Sequence, residues 1–232
     1  PGGGWLQTSP EFAMKRLLSL SLFLVVCASS VLAQDSTAGR GGRGRGGAPP
    51  DPRTMGGGQC AENAFNCKDT PNPLGPPNTV WIEEMTRMDV RDALKAGKTT
   101  AIIATGGIEP NGPWLVTGKH NYVNHSNCEA IARKLGNALC APLVKFTPEG
   151  RIEPQSSHMV SPGTISMREE TFRAILTDIA HSLRMHGFKT IFLIGDSGGN
   201  QPGQRYVADS LNKLWDGDPL VAHIQEYYTY SV

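Results

Sequence analysis

Two side chains that could do acid–base or metal chemistry stand in one loop after a predicted strand. The apolar run 101–104 indicates a buried strand, and the Gly- and Pro-rich stretch after it is neither helix nor strand. This loop carries the carboxylate of Glu109 and the imidazole of His120. Because ligands of open α/β sheets bind beyond the carboxyl ends of the strands, both are candidate site residues. The alternative is a solvated loop acid and a surface histidine.

A second loop of this kind follows the apolar run 189–194, which also predicts a buried strand. Its sequence is Gly-Asp-Ser-Gly-Gly-Asn over residues 195–200. By the crevice rule this loop should face the first one, which brings Asp196 and Ser197 to the same place. Ser197 also fits the Gly-x-Ser-x-Gly pattern of a nucleophile elbow. A serine hydrolase needs a downstream acid and histidine, and only His223 remains as the imidazole in the short tail.

The elements that must position these loops alternate between strand and helix. We predict helices over 86–96, 124–139, 166–186 and 204–215, and strands over 100–104, 141–146 and 189–194. Ser166 followed by Glu169 has the form of a capping box at the start of the third helix. The alternation predicts a three-layer α/β fold with a mostly parallel sheet flanked by helices.

Most of the first third of the chain lacks the pattern of a folded domain. We expect residues 1–13 to be vector-derived or upstream sequence, and residues 14–33 to be a secretory signal, with a basic start, an apolar run and a small-residue cleavage site. The segment 34–77 is rich in Gly, Arg and Pro and is predicted to be a flexible linker. The chain should therefore be exported, to the periplasm or the medium, and its globular domain should span 78–232.

Four cysteines remain after removal of the predicted signal. Cys60 and Cys67 are close together in a loop-like region, which suggests a local disulfide in an oxidising compartment. Cys128 and Cys140 flank a predicted helix near its opposite ends, and we interpret them as buried thiols. An Arg-Gly run can bind RNA, but the net charge of only +1 favours a linker and no nucleic-acid partner.

The order of these motifs resembles the creatininase (creatinine amidohydrolase) family. That family shows a Gly-Ser-x-Glu-x-His-Gly-Pro loop, a His-x-x-x-Pro-Gly-Thr-Ile-Ser stretch and an Asn-Gly-His-Gly-Gly-Asn turn. The corresponding stretches here are 107–120, 158–166 and 195–200. The resemblance implies a creatininase-like fold, two divalent ions in the crevice, usually zinc or manganese, and a homo-oligomer. It also implies a later motif that is missing before Val232, so the chain is either cut short or belongs to a branch without it.

Only part of the implied metal-ligand set is present here. Glu109 matches the family glutamate. Asn111 stands where the family has its first-loop histidine, and His120 stands where the family has its bridging aspartate. In the turn, Ser197 stands where the family has a histidine, and Gly199 stands where some members have an acid. With Asp196 added, the remaining ligands carry two negative charges, which suits one divalent ion better than two. We therefore predict a metal site of Glu109, His120 and Asp196.

These residues predict a metal-dependent hydrolase that acts on a C–N bond of a small cyclic or linear amide through a metal-activated water. Ser197 and His158 are the candidate catalytic residues, and Asn111 and Trp114 are the candidates for substrate binding. Two alternatives stay open: a serine hydrolase or esterase that uses Ser197, and a binding pseudoenzyme that has lost the metal. We expect a small-molecule substrate, and no membrane association after signal removal.

Overall fold

The structure is a computed structural model that describes residues 71–72 and 74–231. These residues all belong to one compact unit, 52–232. The predicted upstream segment, the signal, most of the linker and the Cys60–Cys67 pairing lie outside the described residues. None of the described helices is long and apolar enough to cross a membrane.

Four parallel strands form the sheet, in the order β2-β1-β3-β4. Their bounds are β1 Thr100–Thr105, β2 Ala138–Cys140, β3 Thr190–Gly195 and β4 Leu220–His223. From β1 the chain passes to β2 on one side and then returns to β3 on the other. The topological switch point therefore lies between β1 and β3, which pair from Thr100 with Thr190 to Thr105 with Gly195. The predicted parallel α/β sheet is confirmed.

Helices cover both faces of this sheet. They are α1 Arg87–Lys95, α2 Lys119–Leu135, α3 Glu169–Met185, α4 Gln201–Trp215 and α5 Gln225–Ser231. Alternate residues of β1 point to opposite faces, as in any strand. Ala101 and Ile103 belong to a core with α1, α3 and α4, whereas Ile102 and Ala104 belong to a second core with α2 and Tyr227 of α5. The three predicted layers are therefore present.

Several predicted bounds were wrong for local reasons. The second strand is β2 at Ala138–Cys140, and from the predicted strand 141–146 only Val144 makes an isolated bridge, to Thr105. Helix α2 begins at Lys119 and ends at Leu135, because Gly136 takes the left-handed conformation that closes helices (φ 75°). Ser166 caps no helix, and its Oγ instead accepts a hydrogen bond from Glu149 N (2.9 Å).

Cys128 and Cys140 form a disulfide, with their Cα atoms 6.2 Å apart. The prediction of buried thiols was therefore wrong. It placed the two residues at opposite ends of one helix, whereas α2 stops at Leu135 and the chain reverses into β2. Cys140 thus lies beside the middle of α2, and the bond ties that helix to the edge strand of the sheet.

Candidate functional site

A cavity of about 590 Å³ opens at the carboxyl ends of β1 and β3, at the switch point of the sheet. It is lined by the loops that follow β1, β2 and β3 and by the first turn of α2. The side chains that line it include Glu109, His120, Glu149, His158, Asp196 and Ser197. A cavity of about 670 Å³ beside α1 is slightly larger, but no imidazole lines it.

His120 lies between two buried carboxylates. Its Nε2 is 2.8 Å from Glu109 Oε1, and its Nδ1 is 2.9 Å from Asp196 Oδ1. The three side chains come from the loop after β1, from the first turn of α2 and from the end of β3. The predicted convergence of the two loops is therefore present, with His120 fixed by a helix rather than a loop.

Asn124 holds this trio in place from one turn further along α2. Its Nδ2 donates to the His120 carbonyl at 2.8 Å and also to Asp196 Oδ1. Its Oδ1 accepts a hydrogen bond of 2.9 Å from the Tyr227 hydroxyl of α5. Since Asn124 is fully buried, all of these bonds are shielded from water. Sequence reasoning missed both Asn124 and Tyr227, because no local motif marks a contact between α2 and α5.

The other predicted site residues divide into three that line the cavity and one that does not. His158 Nε2 lies 3.0 Å from Glu109 Oε2, and Asn111 Nδ2 donates to Glu109 Oε1 at 3.3 Å. Ser197 lines the cavity, and in the described part of the chain its hydroxyl makes no hydrogen bond to an imidazole. Trp114 is 95% exposed and is not among the residues that line the cavity, and its role in substrate binding stays a prediction.

Glu149 is a third buried carboxyl group of the cavity that the sequence analysis did not select. It lies in the loop after β2, and its Oε1 accepts a hydrogen bond of 2.7 Å from Thr147 Oγ1. Its carboxyl group lies near that of Glu109, and each affects the pKa of the other. The signal was available: Glu149 stands between Pro148 and Gly150 in a loop that follows a strand, where the crevice rule applies equally.

Burial and contact together set the charges of these groups. Burial lowers the pKa of His120, but Asp196 and Glu109 outweigh it and raise that pKa to about 9. Burial raises the pKa of Glu109, yet the bonds from His120 and Glu149 bring the net pKa below its ordinary value. Burial and the neighbouring Glu109 both raise the pKa of Glu149. Without an ion at neutral pH, His120 is therefore protonated and Glu149 keeps its proton.

The donor types of this cluster suit a divalent cation. Glu109 Oε2 and His120 Nδ1 are buried, and within the described residues each makes an ion-pair contact but no well-formed hydrogen bond. Each lies within 3.0 Å of a second possible metal-ligand atom: His158 Nε2 for Glu109 Oε2, and Asp196 Oδ1 for His120 Nδ1. Two ligands at right angles around one ion, each at about 2.1 Å, are also about 3 Å apart. Among the described residues no three His, Cys, Asp or Glu side chains are already grouped to hold a metal, so uptake would need side-chain adjustment.

Comparisons with known proteins identify a family and a shared fold. A family model described as creatinine amidohydrolase (creatininase) matches residues 83–230. The 3-dehydro-scyllo-inosose hydrolase of Thermotoga maritima is 26% identical over 132 residues, which cover 56% of this chain and 38% of that protein.

Solved creatininase structures are similar in fold. A creatinine amidohydrolase (creatininase) is 20% identical, with a TM-score of 0.54 over 64% of this chain and 58% of that one. A structure named Creatininase Mn is 21% identical, with a TM-score of 0.56 over 63% and 58%. A mutant creatininase of the Zn-Zn type is 20% identical, with a TM-score of 0.54 over 64% and 58%. The chain thus spans 38% of the length of the curated relative and 58% of these solved structures.

Proposed function

The chain belongs to the creatininase family, and on that basis we propose that it hydrolyses a C–N bond of a small cyclic or linear amide. The observation that carries the proposal is the concentration of the carboxyl groups of Glu109, Glu149 and Asp196 with the imidazoles of His120 and His158 around one cavity. Its volume of about 590 Å³ suits a small molecule.

We propose that one divalent ion, zinc or manganese, is held by Glu109, His120 and Asp196. When bound, such an ion supplies Lewis acidity, which polarises a carbonyl and makes water more acidic. Two solved relatives are named as manganese and Zn-Zn forms of creatininase. The two negative charges of Glu109 and Asp196 balance one divalent ion, which supports one ion rather than two.

The remaining side chains have roles in positioning the reactants and moving protons. In hydrolysis the water oxygen bonds to the carbonyl carbon, the C–N bond breaks, and a water proton passes to the nitrogen. We assign this proton transfer to His158, whose side chain is 43% exposed and lies against Glu109. Asn111 and Ser197 line the cavity with polar groups that can hydrogen-bond the substrate or the water.

Elemental analysis of the full chain, purified without added metal, tests this proposal together with an amide-hydrolysis assay. We expect a stoichiometric ion, and hydrolysis that a chelator abolishes and manganese or zinc restores. The compounds assayed as substrates should include creatinine, other cyclic amides and linear amides. Hydrolysis that survives complete removal of the ion would refute the metal-dependent mechanism.

The two alternatives give different results in the same assays. A serine hydrolase would hydrolyse without an ion and would lose activity in Ser197→Ala. The lack of an imidazole bonded to the Ser197 hydroxyl, within the described residues, argues against it. A binding pseudoenzyme would retain neither ion nor hydrolysis.

We also propose that the protein is exported and forms a homo-oligomer. Export follows from the signal-like segment 14–33, and the buried disulfide Cys128–Cys140 is consistent with an oxidising compartment. Fractionation of expressing cells and light scattering of the purified protein test these two statements. A protein found only with the cytosolic fraction, or a monomer at all concentrations, would contradict them.

A further inference from the structure

The loop between β2 and α3 brings a carboxyl group into the cavity at a place where no motif predicted one. Glu149 is only 3% exposed and Glu109 is 4% exposed, and the two carboxyl groups lie near each other in the lining of one cavity. Two carboxyl groups buried against each other are costly unless a positive charge or a proton lies between them. Oε2 of Glu109 is buried and lies 3.0 Å from His158 Nε2, so the pair stands beside a partly exposed imidazole.

The surrounding backbone is built to hold Glu149 in this position. A Cβ at Gly107 would lie 2.2 Å from Glu149 Oε1, so only glycine leaves room for the carboxyl group there. Ser166 Oγ accepts a hydrogen bond from Glu149 N at 2.9 Å and donates to the Gly150 carbonyl at 2.7 Å. Thr147 Oγ1 donates to the carboxyl group itself at 2.7 Å. Side chain and main chain of Glu149 are therefore both fixed.

The same loop excludes a side chain at position 199. A Cβ at Gly199 would lie 2.6 Å from the carbonyl oxygen of Pro148, the residue before Glu149. Position 199 is where the family resemblance implies an acid in some members. In this chain the backbone that carries Glu149 takes the space that a side chain at 199 would need, and Glu149 brings a carboxyl group to the same cavity.

We propose that Glu149 is a further ligand of the divalent ion, supplied by the 147–150 loop in place of the ligands lost at Asn111, Ser197 and Gly199. The inference rests on the proposed metal-dependent function. With Glu149 the candidate set has three carboxylates and the imidazole of His120. Manganese prefers carboxylate and water ligands, so an oxygen-rich set of this kind suits manganese better than it suits zinc. Loss of Glu149 should therefore weaken manganese binding more than zinc binding.

The test is metal affinity of the full chain after removal of bound metal, measured for wild type, Glu149→Gln and Glu170→Gln. Free manganese is followed by its electron paramagnetic resonance signal, and zinc by competition with a chromogenic chelator. Glu149→Gln should raise the manganese dissociation constant about 10-fold or more, because loss of even an outer-shell partner of a metal ligand costs about 10- to 100-fold, and the rise for zinc should be smaller. Glu170 is an exposed acid at the start of α3, so Glu170→Gln should bind as wild type does.

The outcomes separate this inference from the proposed function. If wild type binds manganese and folded Glu149→Gln binds it equally well, the ligand role of Glu149 is refuted and the metal site is not. If wild type binds neither metal, both fail. Circular dichroism of each stripped variant checks folding. Should Glu149→Gln not fold, Thr147→Val removes the hydrogen bond to Glu149 and should weaken manganese binding by a smaller factor; unchanged binding would refute the inference.

Discussion

Reduction of the Cys128–Cys140 bond should lower the free energy of unfolding by about 3 kcal/mol. The two cysteines are 12 residues apart, so the bond closes a short loop in the unfolded chain. For a loop of that size the chain-entropy relation gives about 3 kcal/mol at 25 °C. That is a large part of the stability of a typical domain, about 5–15 kcal/mol.

The bond joins the middle of α2 to β2, so it lies in the helix that carries two residues of the site. Helix α2 carries His120 in its first turn and Asn124 one turn later, and both side chains contact Asp196. Both cysteines are fully buried, so reduction leaves two thiols inside the core without opening a cavity. The loss should therefore reflect mainly the freed unfolded chain.

Urea unfolding of the full chain with and without dithiothreitol measures this effect, with Cys128→Ala/Cys140→Ala as the matched control. Wild type should lose about 3 kcal/mol in reductant, whereas the double variant should be insensitive to it. The control also reports any contribution of the other cysteines. Alkylation and mass spectrometry establish that both thiols are free. An unchanged unfolding free energy in reductant, in a sample that alkylation shows to have both thiols free, would refute the reasoning.

Three further predictions concern single side chains. Ser197→Ala should cost at most about tenfold in the rate of hydrolysis, the equivalent of one neutral hydrogen bond; complete loss would instead indicate a serine nucleophile. Asn124→Leu should lower the unfolding free energy by about 1–3 kcal/mol, because Asp196 loses a buried partner; equal stability in urea of Asn124→Leu and Asn127→Leu would contradict this. Burial and then Arg205 lower the pKa of His223, so the unfolded chain binds its proton more readily. The contribution of neutral His223 to the unfolding free energy is therefore full above about pH 6.5 and falls on acidification. His223→Gln should lose less unfolding free energy than wild type between pH 7.5 and 5.5. An identical loss in both proteins would contradict this prediction.

The sheet and the meeting of its two main loops could be predicted, because both depend on patterns local to the chain. Apolar runs ending in Gly mark β1 and β3, and parallel strands bring their carboxyl ends to one edge. Glu109, His120 and Asp196 were found in this way. The contacts of their side chains confirm the shared location, whereas their role as metal ligands stays a prediction.

What could not be predicted depends on contacts distant in sequence. The Cys128–Cys140 bond depends on the reversal at Gly136, and the bond from Tyr227 to Asn124 joins residues 103 positions apart. Trp114 was assigned to the pocket from its loop alone, and it is 95% exposed and is not among the residues that line the cavity. Glu149 was overlooked although its loop was predicted to follow a strand, because the crevice rule was applied only to the loops after β1 and β3.

The close approach of Pro148 to Gly199 also constrains how this lineage could change. An acid at 199 and the present 147–150 loop exclude each other sterically, since the added Cβ would lie 2.6 Å from a carbonyl oxygen. A side chain at 199 alone should therefore strain the backbone at Pro148. An acid at 199 would require a reshaped 147–150 loop, which would displace Glu149. We therefore expect this loop and position 199 to accept changes only together.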